Sequence, residues 1–186
     1  MYRVTVVKPR LAALLPAAVV GAVAAVGIAS GASRSEPPCV ARQLAGTFSA
    51  VPGSAGAGSI SYVLRLRNVS QTNCFVSGIP QVRLVGKAGK PLPTRVRPSH
   101  PGALTAVRVV VAPYGYAAAT ARFSPDVPGV GEGGPGPCEV PAYRARVVPP
   151  PGGGTLVVPL KPPTPVCEKG TMLFSAFVAG RTGPTS

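Results

Sequence analysis

Tryptophan is absent from this chain of 186 residues, histidine occurs once, and five acidic residues stand against nineteen basic ones. Each shortage removes a class of function. Acid–base and nucleophilic catalysis need a positioned base, and His100 lies between prolines in "RPSHPG" with no partner motif beside it. It reads as an exposed loop histidine. The acids, Glu36, Asp126, Glu132, Glu139 and Glu168, are scattered. Asp126 and Glu132 share a glycine-rich loop, but a calcium site wants more oxygen ligands than two carboxylates supply. Glu139 and Glu168 each follow a cysteine, and a solvated rim explains them more simply than a catalytic pair. No two cysteines are as close as a zinc site requires. "GKAGKP" has proline where a phosphate-binding loop needs Ser or Thr, and "PGSAGAGS" lacks the strand–Ser–helix setting of a nucleophile elbow. No catalytic residue, metal or cofactor is expected.

Helical periodicity is also missing beyond the N-terminus, while 23 glycines and 24 prolines punctuate the chain. With 46% hydrophobic residues there is still material for one core. Many turns plus one core imply an all-β domain. The N-terminus is different. "MYRVTVVKPR" carries Arg3, Lys8 and Arg10 without an acid, and nothing from Leu11 to Ser33 is charged. Basic, apolar and small-residue regions in that order make a secretory signal peptide over residues 1–33. The competing reading is an uncleaved anchor helix, since residues 11–30 approach the ~20 needed to span a bilayer. Pro16 and the many alanines and glycines weaken it as an anchor. Both readings place the rest outside the cytoplasm, secreted or at the cell surface, because the basic end stays inside. A lipoprotein is disfavoured, since Cys39 follows "SEPP" and not a small-residue lipobox.

Residues 34–38 read as a linker, 39–179 as the domain and 180–186 as a frayed tail. In "SISYVLRLRN", Ile60, Tyr62, Leu64 and Leu66 point one way while Ser61, Arg65 and Arg67 point the other, a half-buried strand. "QVRLVGKAGKPLPTRVR" holds two strands around a turn. "LTAVRVVVA", "YAAATARF", "AYRARVV", "GTLVVPL" and "GTMLFSAFVA" supply five more, and "SPDVPGVGEGGPGP" is a long loop. Seven to nine short strands imply an immunoglobulin-like antiparallel β-sandwich, with a small barrel as the structural alternative.

Cys39, Cys74, Cys138 and Cys167 are an even set in an exported chain and are expected to pair. Three connectivities exist. Pairing of neighbours, Cys39–Cys74 and Cys138–Cys167, brackets locally connected strands, and each bridge would contribute about 3–4 kcal/mol. Without residues 1–33 the chain keeps a net charge of +11. Arg65/Arg67, Arg95/Arg97 and Arg144/Arg146 are each spaced by two, so each pair shares a face. If those strands neighbour one another, they form a stripe for phosphate or carboxylate groups. A charged face that blocks edge aggregation explains the same residues. An anionic cell-envelope polymer or an extracellular protein is the expected partner class; the membrane is met only through residues 11–30 if the leader stays. Nucleic acid is not expected, because the Phe and Tyr residues alternate into core positions and leave no stacking platform. Asn68-Val69-Ser70 matches a glycosylation pattern, but reads more simply as a turn asparagine in left-handed geometry.

"YVLRLRNVSQTNCFVSGIPQVRLV" resembles the family called domain of unknown function 4232, through Leu64, Leu66, Asn68, Ser70, Cys74, Gly78 and Pro80. "AGAGS", Gly89, "VAPYGYA", Cys138 and Cys167 extend the likeness over about residues 39–179. Ile79 stands where the family commonly has an aromatic, and Phe123 where tryptophan is frequent; both look like core substitutions. The resemblance implies an exported, disulfide-stapled β-sandwich and no catalytic residues. Two functions stay open. One is a non-catalytic module binding at the cell envelope. The other is an extracellular protease inhibitor or enzyme-accessory domain using the loop "SPDVPGVGEGGPGP".

Overall fold

A computed structural model describes residues 35–100, 102, 107–133 and 138–184. The proposed leader, the first residues of the strand expected from Leu104 and the end of the glycine-proline loop lie outside them. Among the described residues no helix is long and apolar enough to cross a membrane.

The fold is all-β. Its strands are β1 (Leu44–Ala50), β2 (Ile60–Asn68), β3 (Cys74–Val76), β4 (Gln81–Val85), β5 (Arg95–Pro98), β6 (Val109–Val111), β7 (Tyr116–Phe123), β8 (Ala142–Val148), β9 (Leu156–Thr164), β10 (Thr171–Phe174) and β11 (Val178–Ala179). Nine belong to one hydrogen-bonded path, β4-β8-β9-β1-β2-β7-β10-β5 with β11 beside β7, and β3 pairs with β6. Most pairings are antiparallel, as expected. Two are parallel: β9 with β1 through Phe48–Leu160, and β10 with β5. β9 is the element that joins the layers. Its first half pairs with β8, while Leu160 and Lys161 pair with β1. The prolines it carries at 159, 162 and 163 are exposed, where a missing N–H costs least.

Alternation decides which side is core. Tyr62, Leu64 and Leu66 of β2 and Ala117, Ala119, Ala121 and Phe123 of β7 are buried, and join Val82, Leu84, Ala145, Val147 and Val158 of the other layer in one cluster. Phe48 packs edge-on to Tyr62 at 5.4 Å and stacked on Phe174 at 5.9 Å. Gly46 is small for a reason: a Cβ there would sit 2.3 Å from Val158 Cγ1. The Tyr62 hydroxyl reaches Pro162 O at 2.8 Å and Thr164 Oγ1 at 2.5 Å, tying β2 to β9 across the core. Burial pushes its pKa up, partly offset by the Thr164 bond.

Three expectations change. The chain after the Gly86–Lys90 turn stays bonded to β4 only as far as Leu92 and Thr94; β5 itself pairs with β10, so β4 and β5 end the path at opposite ends. β1 and β3 were not legible, because both are short on alternation. The tail expected to fray from residue 180 lies on the outer face of β2 and β7. There Arg65 Nε donates to Arg181 O at 2.6 Å and Thr120 Oγ1 to Pro184 O at 3.0 Å.

Asn68 ends β2 fully buried. Its Nδ2 donates to Thr72 O at 2.8 Å and Val111 O at 2.9 Å, and its Oδ1 accepts from Ser70 N and Oγ. Its φ is not left-handed; a buried crosslink, not a turn conformation, explains the asparagine. Attachment of a glycan there would require pulling this amide out of the core. Asn68→Ala strands the buried Val111 carbonyl and removes the bonds to Thr72 O and Ser70 N, and should cost about 2–4 kcal/mol, or roughly 5–15 °C in Tm for a domain of this size. Urea and thermal unfolding measure it; a loss below about 1 kcal/mol would contradict this role.

Candidate functional site

The cysteines are bridged as neighbours, Cys39–Cys74 with Cα atoms 4.8 Å apart and Cys138–Cys167 with 5.5 Å. The first bridge sits beside a short parallel contact in which Cys39 N donates to Phe75 O and Phe75 N to Pro37 O. Cys74 is therefore a staple holding β3 against the N-terminal segment. Two disulfides suggest an oxidising, extracytoplasmic environment. His100 is exposed, with Ser99 Oγ 3.1 Å from its Nδ1. No group of three or more metal-ligating side chains occurs among the described residues.

Two of the acids are engaged within the chain, Glu36 by Arg108 and Glu132 by backbone amides. Glu132 accepts backbone N–H bonds from Gly129 at 2.7 Å, Glu168 at 2.6 Å and Lys169. The turn Cys167–Gly170 offers its amides this way because Glu168 and Lys169 are both left-handed, φ 55° and 56°. Consecutive N–H groups then converge on one carboxylate, an anion-binding nest filled from within the chain. These bonds, first that from Gly129, hold the Glu132 pKa below the usual carboxylate value. The described part of the loop proposed for protease inhibition is thus pinned to the turn before β10.

The condition for a six-arginine stripe, that the three strands neighbour one another, is not met. β2, with Arg65 and Arg67, is separated from β8 by β1 and β9, and from β5 by β7 and β10. Arg95 and Arg97 line a separate hollow with Glu132, Glu168 and Lys169. What forms instead is a local cluster. Arg83 of β4 lies directly opposite Arg146 of β8, and Arg144 is two residues along the same strand on the same face. The alternation of "QVRLV" puts Arg83 outward, opposite Val82 and Leu84; it is not among the candidate anion-binding residues, because it lacks a second arginine two positions away.

Arg83 and Arg146 flank a groove of about 670 Å³, whose other walls include Ile79, Thr94, Val96 and Val148. The groove is a seam. It runs between β4 and the β5 segment, the two ends of the path, where the curled ladder comes close to meeting itself. Like charges directly opposed on an antiparallel pair are destabilising. Among the described residues the ion pair present is Arg108–Glu36, elsewhere on the molecule. The two guanidinium groups thus offer fork-shaped donors to an anion.

A family model described as a domain of unknown function (DUF4232) matches residues 39–177. The chain belongs to this family. No curated protein and no solved structure matches it. The positions that carry the DUF4232 likeness are structural here: Leu64 and Leu66 are buried, Asn68 is the crosslink, Cys74 is bridged, and Gly78 is left-handed at φ 84°. Phe123, where tryptophan is frequent, is buried against Tyr62 at 5.1 Å, and Ile79 packs on the core's rim.

The Glu132 clamp has a pH signature. Its folded pKa is lowered, so its contribution is complete above the ordinary carboxylate pKa and fades as pH falls through the lowered value. Amide protection at Glu168 and Lys169 should fall in acid. In Glu132→Gln it should already be low at neutral pH. Equal protection in both proteins across the range would contradict the clamp.

Proposed function

We propose that the DUF4232 domain is an exported, non-catalytic binding module that holds an anionic polymer of the cell envelope along the seam groove. The observation that carries this reading is the opposed Arg83–Arg146 pair, unneutralised among the described residues and set beside an apolar floor. A repeating anion meets both needs. Its charged groups take the guanidinium forks, and its backbone lies on Ile79, Val96 and Val148. The net charge of +11 on residues 34–186 draws such a polymer to the surface over a Debye length. The disulfides support the compartment in which the polymer is found.

Polyphosphate serves as the probe. Arg83→Gln/Arg146→Gln should bind it at least tenfold more weakly at low salt. The slope of log affinity against log salt should fall by about two, one for each lost contact. Thermal stability should hold or rise, since a repulsive cross-strand pair is removed. Unchanged affinity and slope in a folded double variant would remove the groove from the function.

A further inference from the structure

The outer face of the other layer carries a second assembly. Arg67 on β2 lies directly opposite Tyr116 on β7. Its guanidinium carbon is 5.9 Å from the Tyr116 ring centre and 5.3 Å from that of Tyr114, and Arg181 of the tail is 4.3 Å over Tyr116. The order Tyr114, Arg67, Tyr116, Arg181 alternates ring and cation. This corrects the expectation that every aromatic is absorbed by the core.

Tyr114 is the unusual member. It is 49% exposed and left-handed, with φ 61°, a conformation disfavoured for a residue with a bulky side chain. The buried Asn68 holds it there: Tyr114 N donates to Asn68 O at 2.8 Å, and Asn68 N donates to Gly115 O at 3.0 Å. Gln71 Nε2 donates to the Tyr114 hydroxyl. The fold thus fixes a tyrosine ring at the surface, next to a guanidinium group, with an amide at its edge.

We infer that this platform is a binding site for one ring of an acidic saccharide. A sugar ring presents a C–H face that packs on tyrosine, while its edge oxygens accept from guanidinium and amide donors. Tyr116 carries Arg181 and shares Arg67 with Tyr114, so the half-exposed Tyr114 has room for a single ring beside Arg67. A run of stacked bases needs several free aromatic faces, which favours the saccharide over a nucleic-acid strand. The acid requirement comes from charge. Arg67 and Arg181 lie against one tyrosine pair, Arg65 bonds the Arg181 carbonyl beside them, and the ion pair among the described residues lies elsewhere. A carboxylate on the sugar neutralises that repulsion. The site is independent of the seam groove and stands whether or not the groove binds a polymer.

The test titrates the full oxidised chain with galacturonate oligomers, neutral dextran oligomers and a single-stranded oligothymidylate. With no tryptophan present, tyrosine fluorescence reports binding directly. Galacturonate should bind and dextran should not. Tyr114→Ala and Arg181→Gln should each weaken galacturonate at least tenfold, while Tyr114→Phe stays within twofold and polyphosphate affinity is unchanged in all three. Arg181→Gln, in the exposed tail, decides the matter if Tyr114→Ala does not fold. Absence of galacturonate binding, equal binding of dextran, tighter oligothymidylate binding lost in Tyr114→Ala, or undiminished galacturonate affinity in the folded variants would each overturn the proposal.

Discussion

The buried Asn68 side chain is the constraint on which the arrangement of this domain depends. A primary amide in an apolar interior is tolerated only when its donors and acceptor are all engaged. Here that requirement ties the end of β2 to the 70–72 turn and to β6 at once. β3 and β6 are three residues each, too short to hold themselves by pairing alone. They are held by this amide on one side and by the Cys39–Cys74 bridge on the other. The backbone of Asn68 then fixes the Tyr114 turn. One residue thus links core, small sheet and exposed platform.

Much of the architecture was legible because alternation is a direct image of the pleat. Leu64 and Leu66 against Arg65 and Arg67 could face only one way round a core. The cysteine pairing followed from compartment and local bracketing. What escaped was everything set by non-local pairing. The sequence of β4 puts Arg83 outward, but nothing local says that Arg146 will be its neighbour, some sixty positions away in the chain. The same gap hid the pairing of β5 with β10, which leaves β4 and β5 close in sequence but at opposite ends of the ladder. Asn68 was misread for a related reason. Its pattern resembles a turn asparagine, and only the tertiary fold brings the Val111 carbonyl to its amide.

The charges divide into two kinds once the fold is seen. Glu132 is consumed internally by the left-handed turn at Glu168 and Lys169, and Glu36 by Arg108. Arginines on the outward faces of β8, β4 and β2 keep their guanidinium groups toward solvent, with aromatic rings as the nearest partners of Arg67 and Arg181. A surface of this kind holds like charges close together, an unfavourable arrangement that the proposed anionic ligand would relieve. The family signature itself builds this scaffold: Leu64 and Leu66 are core, Asn68 the crosslink, Cys74 a bridge and Gly78 a left-handed turn.

The most direct measurement is co-sedimentation of the oxidised protein with isolated cell envelope across a salt series. The account predicts retention at low salt that falls steeply as salt rises, the behaviour of several guanidinium contacts to a polyanion. Failure to sediment at low salt, or retention indifferent to salt, would contradict it.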